Sequence, residues 1–135
     1  MPKADEGSLS FTPFRKPLAS SRIAIISTAG LHLDDQPPFD RETQTGDCSF
    51  RRIPADADLS RVRVWWDGEQ RQHANQDLNC ALPLELLGEY CNVAPRHYSF
   101  SGAIPEPRPL VEETAPQVAA ELQEDGVDAV LIAPS

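Results

Sequence analysis

The densest group of chemically capable side chains lies in residues 94–102, which read APRHYSFSG. Arg96, His97, Tyr98 and Ser99 are consecutive there. An arginine can hold a carboxylate through two parallel hydrogen bonds, and histidine and tyrosine can transfer protons. We therefore expect a loop in which Arg96 and Ser99 bind substrate and His97 or Tyr98 acts in catalysis. The alternative is a solvated turn with its aromatic rings packed inward.

A second group follows the apolar run RIAIIS, where Thr28, Gly30 and His32 are close together in sequence. A turn after a strand can present backbone N–H groups to an anion, and an imidazole can act as an acid, a base or a ligand. We expect Thr28 and Gly30 to bind substrate and His32 to be catalytic. The alternative is an ordinary connection between a strand and the next element, because the sequence matches neither the dinucleotide-binding nor the P-loop motif.

The three cysteines, Cys48, Cys80 and Cys91, form no CxxC motif and no even set. This usage is typical of free thiols in a reducing compartment. Cys48 is a possible reactive thiol beside two arginines, although the neighbouring Asp47 disfavours the thiolate. A redox role for Cys80 or Cys91 is left open. No histidine and cysteine spacing matches a zinc site, so no metal is expected.

Length, composition and charge limit the classes to which this protein can belong. The chain has 135 residues, thirteen of them prolines, and a formal net charge of −9. This length allows one domain with a modest core, and the prolines indicate long, stiff loops. The negative charge argues against nucleic acid or an anionic membrane as a partner. No apolar run is long enough for a secretory signal or a membrane span, so we expect a cytoplasmic protein.

Apolar runs and helical periodicity predict the elements that position these groups. The predicted strands are residues 22–27, 61–66 and 127–133, with a short strand at 49–53. The predicted helices are residues 83–90 and a last helix that ends at Gly126 and begins near either Pro109 or Thr114. Residues 30–58 and 92–109 are predicted to be mainly long loops, and the polar residues 67–79 are assigned no element.

This order of elements predicts an α/β fold: a small, open, three-layer sheet with mainly parallel strands and long functional loops, incomplete at its C-terminal end. We expect residues 1–20 to be a flexible arm, with Phe11 and Phe14 as anchors. Residues 21–135 would form a single domain. Because the chain ends on an apolar strand, we also expect dimerisation or partner binding at that strand.

Several segments together resemble a known family. RIAIISTAGLHL, GDCSFRRIP, APRHYSFSGAIP and DGVDAVLIAPS occur in this order. They are similar to the selenoprotein B family of glycine, sarcosine, betaine and D-proline reductases, and most similar to its short, single-domain members with a selenocysteine. The resemblance covers roughly residues 18–135.

The resemblance implies reductive cleavage of a carbon–nitrogen bond in an amino acid or related compound. It implies a small substrate with carboxylate and amine groups, a partner subunit whose pyruvoyl group binds the substrate amine, and a dithiol/disulfide system that resolves the product. No cofactor is implied in this chain. The family's reactive selenocysteine or cysteine would follow Ser135. We interpret the end of the sequence either as a stop at a selenocysteine codon or as a truncated or diverged member.

Two other functions remain open. The chain could be a non-catalytic small-molecule-binding or assembly module that lacks the redox residue, working with a partner subunit or as a homo-oligomer. It could also be a thiol enzyme based on Cys48. Neither the substrate nor the electron donor follows from the sequence.

Overall fold

The computed structural model describes residues 12–65 and 69–134, with side chains for all of these except residues 69 and 70. Residues 1–11 of the predicted arm, Phe11 among them, lie outside the described residues, as do Trp66 and Ser135. The strands are β1 (Arg22–Ser27), β2 (Leu31–Leu33), β3 (Arg51–Pro54), β4 (Val62–Val64), β5 (Asn92–Val93), β6 (Arg96–Ser99) and β7 (Ala129–Ala133). The helices are α1 (Glu69–Gln76), α2 (Leu84–Gly88) and α3 (Ala115–Glu124), and short 3₁₀ turns occupy Leu18–Ser20, Leu59–Arg61 and Leu78–Cys80.

The centre of the main sheet is β1. It pairs in parallel with β7 from Ile23 to Ser27 on one side. On the other side it pairs in parallel first with β5 and then with β6. The strand β3 pairs antiparallel with β6, and β2 and β4 form a separate antiparallel ribbon. The expected small α/β fold with an open, mainly parallel sheet is therefore confirmed.

Strand alternation divides the apolar residues between two faces of the sheet. Ile25 packs on one face with residues of the β2–β4 ribbon, α1 and α2, including Leu31, Val64 and Leu84. Ile26 packs on the other face against a cluster that contains Val118 of α3. The sheet is thus covered on both faces, as a three-layer arrangement requires.

Several segments differ from the sequence-based expectation, among them the short strands β2 and β5, which lie in predicted loops. Residues 96–99 were expected in a loop but form β6, in the interior of the sheet. Their polar side chains can be buried there because hydrogen bonds within the protein satisfy them. The polar segment that contains α1 was also assigned no element. Its Glu, Gln and Arg residues favour helix, and Ala74 is its buried contact with the core.

The last helix begins near Pro109, the first of the two expected starts. A π turn spans Leu110–Thr114 and leads directly into α3. Pro116 has no N–H to donate to the preceding turn, and the wider turn accommodates this break in the hydrogen-bond ladder. Gly126 follows the helix with φ of 65°, so it terminates the helix as expected. Among residues 12–65 and 69–134, no helix is long and apolar enough to cross a bilayer.

Candidate functional site

The turns that follow β1, β6 and β7 meet at one edge of the sheet, which we call the carboxyl edge (residues 28–31, 99–102 and 133–134). The N–H of Thr28 donates to the carbonyl oxygen of Ala133 at 3.1 Å. The N–H of Gly30 donates to the carbonyl oxygen of Phe100 at 2.8 Å. These bonds join the three turns, and in parallel sheets this is the edge at which ligand sites form.

Two glycines allow the turns to approach so closely. Gly102 has φ of 76°, and a Cβ atom there would lie 2.4 Å from the carbonyl oxygen of Thr28. Gly30 has φ of 64°, and its Cβ would lie 2.5 Å from Cβ of Trp65. Both positions therefore exclude larger residues, through backbone conformation and through space. Gly30, predicted to bind substrate, shapes the edge in this way.

The backbone N–H groups of residues 28–31 are all used inside the protein. Besides the two bonds above, the N–H of Ala29 donates to Oγ of Ser27 at 3.3 Å. The N–H of Leu31 donates to Oγ of Ser99 at 2.7 Å. A ligand at this edge would accordingly meet side chains rather than a set of free amides from residues 28–31. The predicted substrate-binding residues Thr28, Gly30 and Ser99 are brought together.

His97 is fully buried on the same face of the sheet as Ser99. Its Nδ1 accepts a hydrogen bond from the N–H of Ile25 at 2.9 Å, and its Nε2 has no partner among the described residues. Burial lowers the pKa of His97 to about 4, so its imidazole is neutral at pH 7. The proton of this neutral ring is on Nε2, because Nδ1 is an acceptor.

Arg96 and Tyr98 lie away from His97, because alternate residues of a strand face opposite sides. Nε and Nη2 of Arg96 bind the two carboxylate oxygens of Asp125 at 2.8 and 2.9 Å. The Tyr98 hydroxyl donates to Oε2 of Glu121 at 3.0 Å. Arg96 thus already holds a carboxylate bidentately, and that carboxylate belongs to the chain itself.

Glu121 is the centre of this group, which we call the Glu121 cluster (Arg52, Arg96, Tyr98, Glu121 and Asp125). Nε of Arg52 donates to Oε2 of Glu121 at 2.8 Å, and Nη1 of Arg96 lies 3.3 Å from the same oxygen. The hydrogen bond from Arg52 lowers the pKa of Glu121 to about 2, and burial together with Glu121 raises the pKa of Tyr98. The cluster fastens α3 to the sheet.

His32 occupies a separate, electropositive position on β2. It is paired in register with Arg63 of β4 and is half-buried. Burial lowers its pKa, and the charges of Arg51, Arg63 and Arg41 act in the same direction. Sequence inspection missed this environment, because the three arginines are scattered along the chain and converge only through the fold.

The three cysteines are free thiols. Cys48 is half-buried and its Sγ lies 3.6 Å from the carbonyl oxygen of Glu106. Burial raises the pKa of Cys91, and Cys80 is exposed. Within residues 12–65 and 69–134, no cluster of three or more histidine, cysteine or carboxylate side chains is arranged to hold a metal ion.

The fold and its carboxyl edge define a small α/β domain with a parallel sheet whose polar turns converge at one edge. The chain is 34% identical over 128 residues to D-proline reductase subunit gamma of Acetoanaerobium sticklandii. The match covers 90% of this chain and 52% of the relative, so the chain spans about half the length of that curated relative. This comparison confirms the resemblance to the selenoprotein B family of reductases. No protein-family model and no solved structure matches the chain.

Proposed function

We propose that this chain is a subunit, or part of a subunit, of a thiol- or selenol-dependent reductase that cleaves a carbon–nitrogen bond in an amino acid or related compound. The likeness to D-proline reductase subunit gamma along 90% of the chain carries this proposal. By the family resemblance, a partner subunit would supply a pyruvoyl group. The cytoplasm is proposed as the compartment on the sequence arguments given above. This chain would contribute no cofactor of its own.

The chemistry needs a nucleophile, which the family resemblance puts beyond Ser135. A selenolate or thiolate there would attack the α-carbon, and the bonding electron pair would leave with nitrogen. A dithiol would then reduce the carbon–selenium or carbon–sulfur adduct, with a proton added to carbon, and would become a disulfide. Because Thr28 is bonded to Ala133, a residue just after Ser135 would enter the site at the carboxyl edge.

A different observation bears on the role of each predicted site residue. Thr28 and Ser99 line the carboxyl edge, and His32 is the proposed proton-transfer group, whose pKa is lowered by burial and by the charges of nearby arginines. Arg96 could bind a substrate carboxylate only by leaving Asp125. His97 and Tyr98 remain predicted catalytic groups that already have hydrogen bonds within the sheet and the Glu121 cluster.

The nucleotide sequence after the Ser135 codon tests this proposal directly. UGA, UGU or UGC, followed shortly by a cysteine codon, supports the reductase, whereas another stop codon with no continuing frame contradicts it. The full-length product, purified with a pyruvoyl-bearing partner, is then assayed for dithiol-dependent ring opening of D-proline. D-Proline is the first substrate to try because it appears in the name of the relative.

A non-catalytic binding or assembly module is the second candidate. The observation that favours it is the engagement of Arg96, His97 and Tyr98 in hydrogen bonds that hold the fold together. Co-purification with the partner, without thiol-dependent turnover in its presence, would support this module and exclude the reductase.

Assembly is proposed at β7, an edge strand whose apolar residues are uncovered. Val130, Leu131 and Ile132 are 38%, 41% and 62% exposed. An exposed, apolar edge strand is a site at which a strand of another chain can pair. Light scattering should show association of the chain with itself or with its partner subunit, and a stable monomer at high concentration with and without the partner would contradict it.

A further inference from the structure

A groove lies at the opposite end of the parallel strands from the carboxyl edge. Its larger part, of about 550 Å³, runs between α2 and the residues that follow β3. Its smaller part, of about 250 Å³, extends along the 3₁₀ turn at Leu78–Cys80. Leu59 and Glu85 line both parts, so the two adjoin each other. We call this surface the acidic groove.

The floor of the acidic groove is apolar and its ionisable groups are all acidic. Leu59 and Leu78 are half-buried and supply apolar surface, beside the almost fully buried Leu82 and Leu84. The ionisable side chains among the lining residues are Asp58, Asp77 and Glu85, and the described lining includes no lysine, arginine or histidine. The nearby Arg61 forms ion pairs with Asp34 and Asp35 instead, at 2.7 and 2.9 Å.

Local hydrogen bonds fix two of these carboxylates. Asp58 accepts from the N–H of Ser60 at 3.0 Å and from its hydroxyl at 2.7 Å, and these bonds lower the pKa of Asp58. Asp77 accepts from the N–H and Nδ2 of Asn79, both at 3.0 Å. Each aspartate is therefore anchored by hydrogen bonds at the start of a 3₁₀ turn.

The side chain of Asn79 is used within this lining, since its Nδ2 donates to Oδ1 of Asp77. The three carboxylates together make a surface that accepts hydrogen bonds and attracts positive charge.

We infer that the acidic groove docks a segment of a partner polypeptide that carries a bulky apolar side chain flanked by lysine or arginine. The half-buried Leu59 and Leu78 offer apolar contact to such a side chain. The flanking cations meet the carboxylates, which mainly accelerates association and selects the partner. The open groove would cover a small molecule only in part, whereas small-molecule sites normally enclose their ligand. This interface is separate from the proposed reductase site.

Two synthetic peptides of equal length and leucine spacing test the inference, one with lysines and one with glutamates between the leucines. Each is titrated into the ¹⁵N-labelled full chain and followed by NMR. The lysine peptide should shift the amide resonances of Leu59, Leu78 and Glu85, and the glutamate peptide should not. Raising the ionic strength from about 0.05 M to about 0.5 M should weaken the binding, because dissolved ions screen the attraction between the lysines and the carboxylates.

Variants of the chain test whether the lysine peptide binds in the acidic groove. Glu85→Lys should raise the Kd for the lysine peptide by at least about tenfold, and the milder Glu85→Gln should raise it less. Glu113→Lys, the same charge change on an exposed residue away from the groove, should leave the Kd within about twofold. Absence of binding, equal binding of both peptides, or equal weakening by Glu85→Lys and Glu113→Lys would overturn the inference.

Discussion

The backbone N–H of Ile25 donates to Nδ1 of His97 at 2.9 Å, so a side chain takes the place of a backbone acceptor in the middle of the sheet. Ile23 pairs with Val93 of β5 and Ile26 with Tyr98 of β6, but Ile25 has no paired residue in either strand. Pro95 lies in the gap between β5 and β6. The imidazole closes this gap and is held as one tautomer, which makes His97 a part of the sheet.

This relationship predicts how stability depends on pH. The pKa of His97 is about 4 in the folded state and about 6.5 in an unfolded chain, so the unfolded state binds the proton more readily between these values. The contribution of His97 to the free energy of unfolding should therefore have its full value above about pH 6.5. It should be lost as the pH drops toward 4, which lowers the free energy of unfolding by about 3 kcal/mol in total. Urea unfolding at a series of pH values measures this slope.

His97→Leu is the control for that slope. It should lower the free energy of unfolding at pH 7 by about 1–3 kcal/mol, since the Ile25 N–H loses its acceptor. It should also flatten the dependence between pH 6.5 and 4, leaving the contributions of His32 and of carboxylates such as Glu121, whose pKa values are lowered too. His73→Leu, on an exposed residue of α1, should keep the full slope. An unchanged slope in His97→Leu would contradict the assignment.

Glu121 should be the most sensitive residue of α3. Glu121→Ala removes the shared acceptor of Arg52, Arg96 and Tyr98 and should lower the free energy of unfolding by about 2–4 kcal/mol. Glu124→Ala is the matched control, because Glu124 pairs with the same Arg96 at 3.6 Å but its side chain is 73% exposed. Exposed pairs contribute about 0–1 kcal/mol. Equal losses in the two variants, measured by urea unfolding, would refute the central role of Glu121.

Gly102→Ala should disturb the carboxyl edge. The new methyl group would collide with the Thr28 carbonyl, and alanine disfavours φ of 76°. We expect a loss of more than about 1 kcal/mol in unfolding free energy and changed NMR resonances for residues 28–31. Gly88→Ala is the control, since a Cβ there meets nothing within 4 Å. A Gly102→Ala variant with the stability and spectrum of the parent would argue against the close approach of these turns.

The thiols should react at different rates, set by their exposure and by their pKa. Cys80 is exposed and should be alkylated first by iodoacetamide, whereas Cys91, whose pKa is raised by burial, should react last. Cys48 should be intermediate, because it is half-buried beside Glu106. Mass spectrometry of the digested protein gives the order. If Cys48 reacts fastest, and Cys48→Ser abolishes reductase activity, the thiol enzyme based on Cys48 replaces the present proposal.

The parts of the fold that follow from local pattern were predictable. The β-branched run of β1, the apolar run of β7 and the glycine after α3 each carry their own signal in sequence. The strand β6 carries none, because its burial depends on partners far away: Ser99 binds the N–H of Leu31, and Tyr98 binds Glu121. Hydrogen bonds of this kind cannot be inferred from periodicity.

The candidate site shows the same limit. Arg96, His97, Tyr98 and Ser99 were grouped because they are neighbours in sequence, but in a strand neighbours face opposite sides. Once β6 is known to be a strand, its alternation separates His97 from Tyr98 without further information. The pairing of Arg96 with Asp125 could not have been foreseen, since many acidic residues of the chain were equally available.

The position of β1 bears on how the protein folds while it is being synthesised. Arg22, at the start of β1, is bonded to Asp128, and the two are 106 residues apart in sequence. The ribosome synthesises β1 well before β7, the strand that pairs with it from Ile23 to Ser27. Until β7 emerges, the nascent chain carries β1 with this side unpaired. We expect chaperones that recognise extended apolar segments to bind Ile23–Ile26 during this interval.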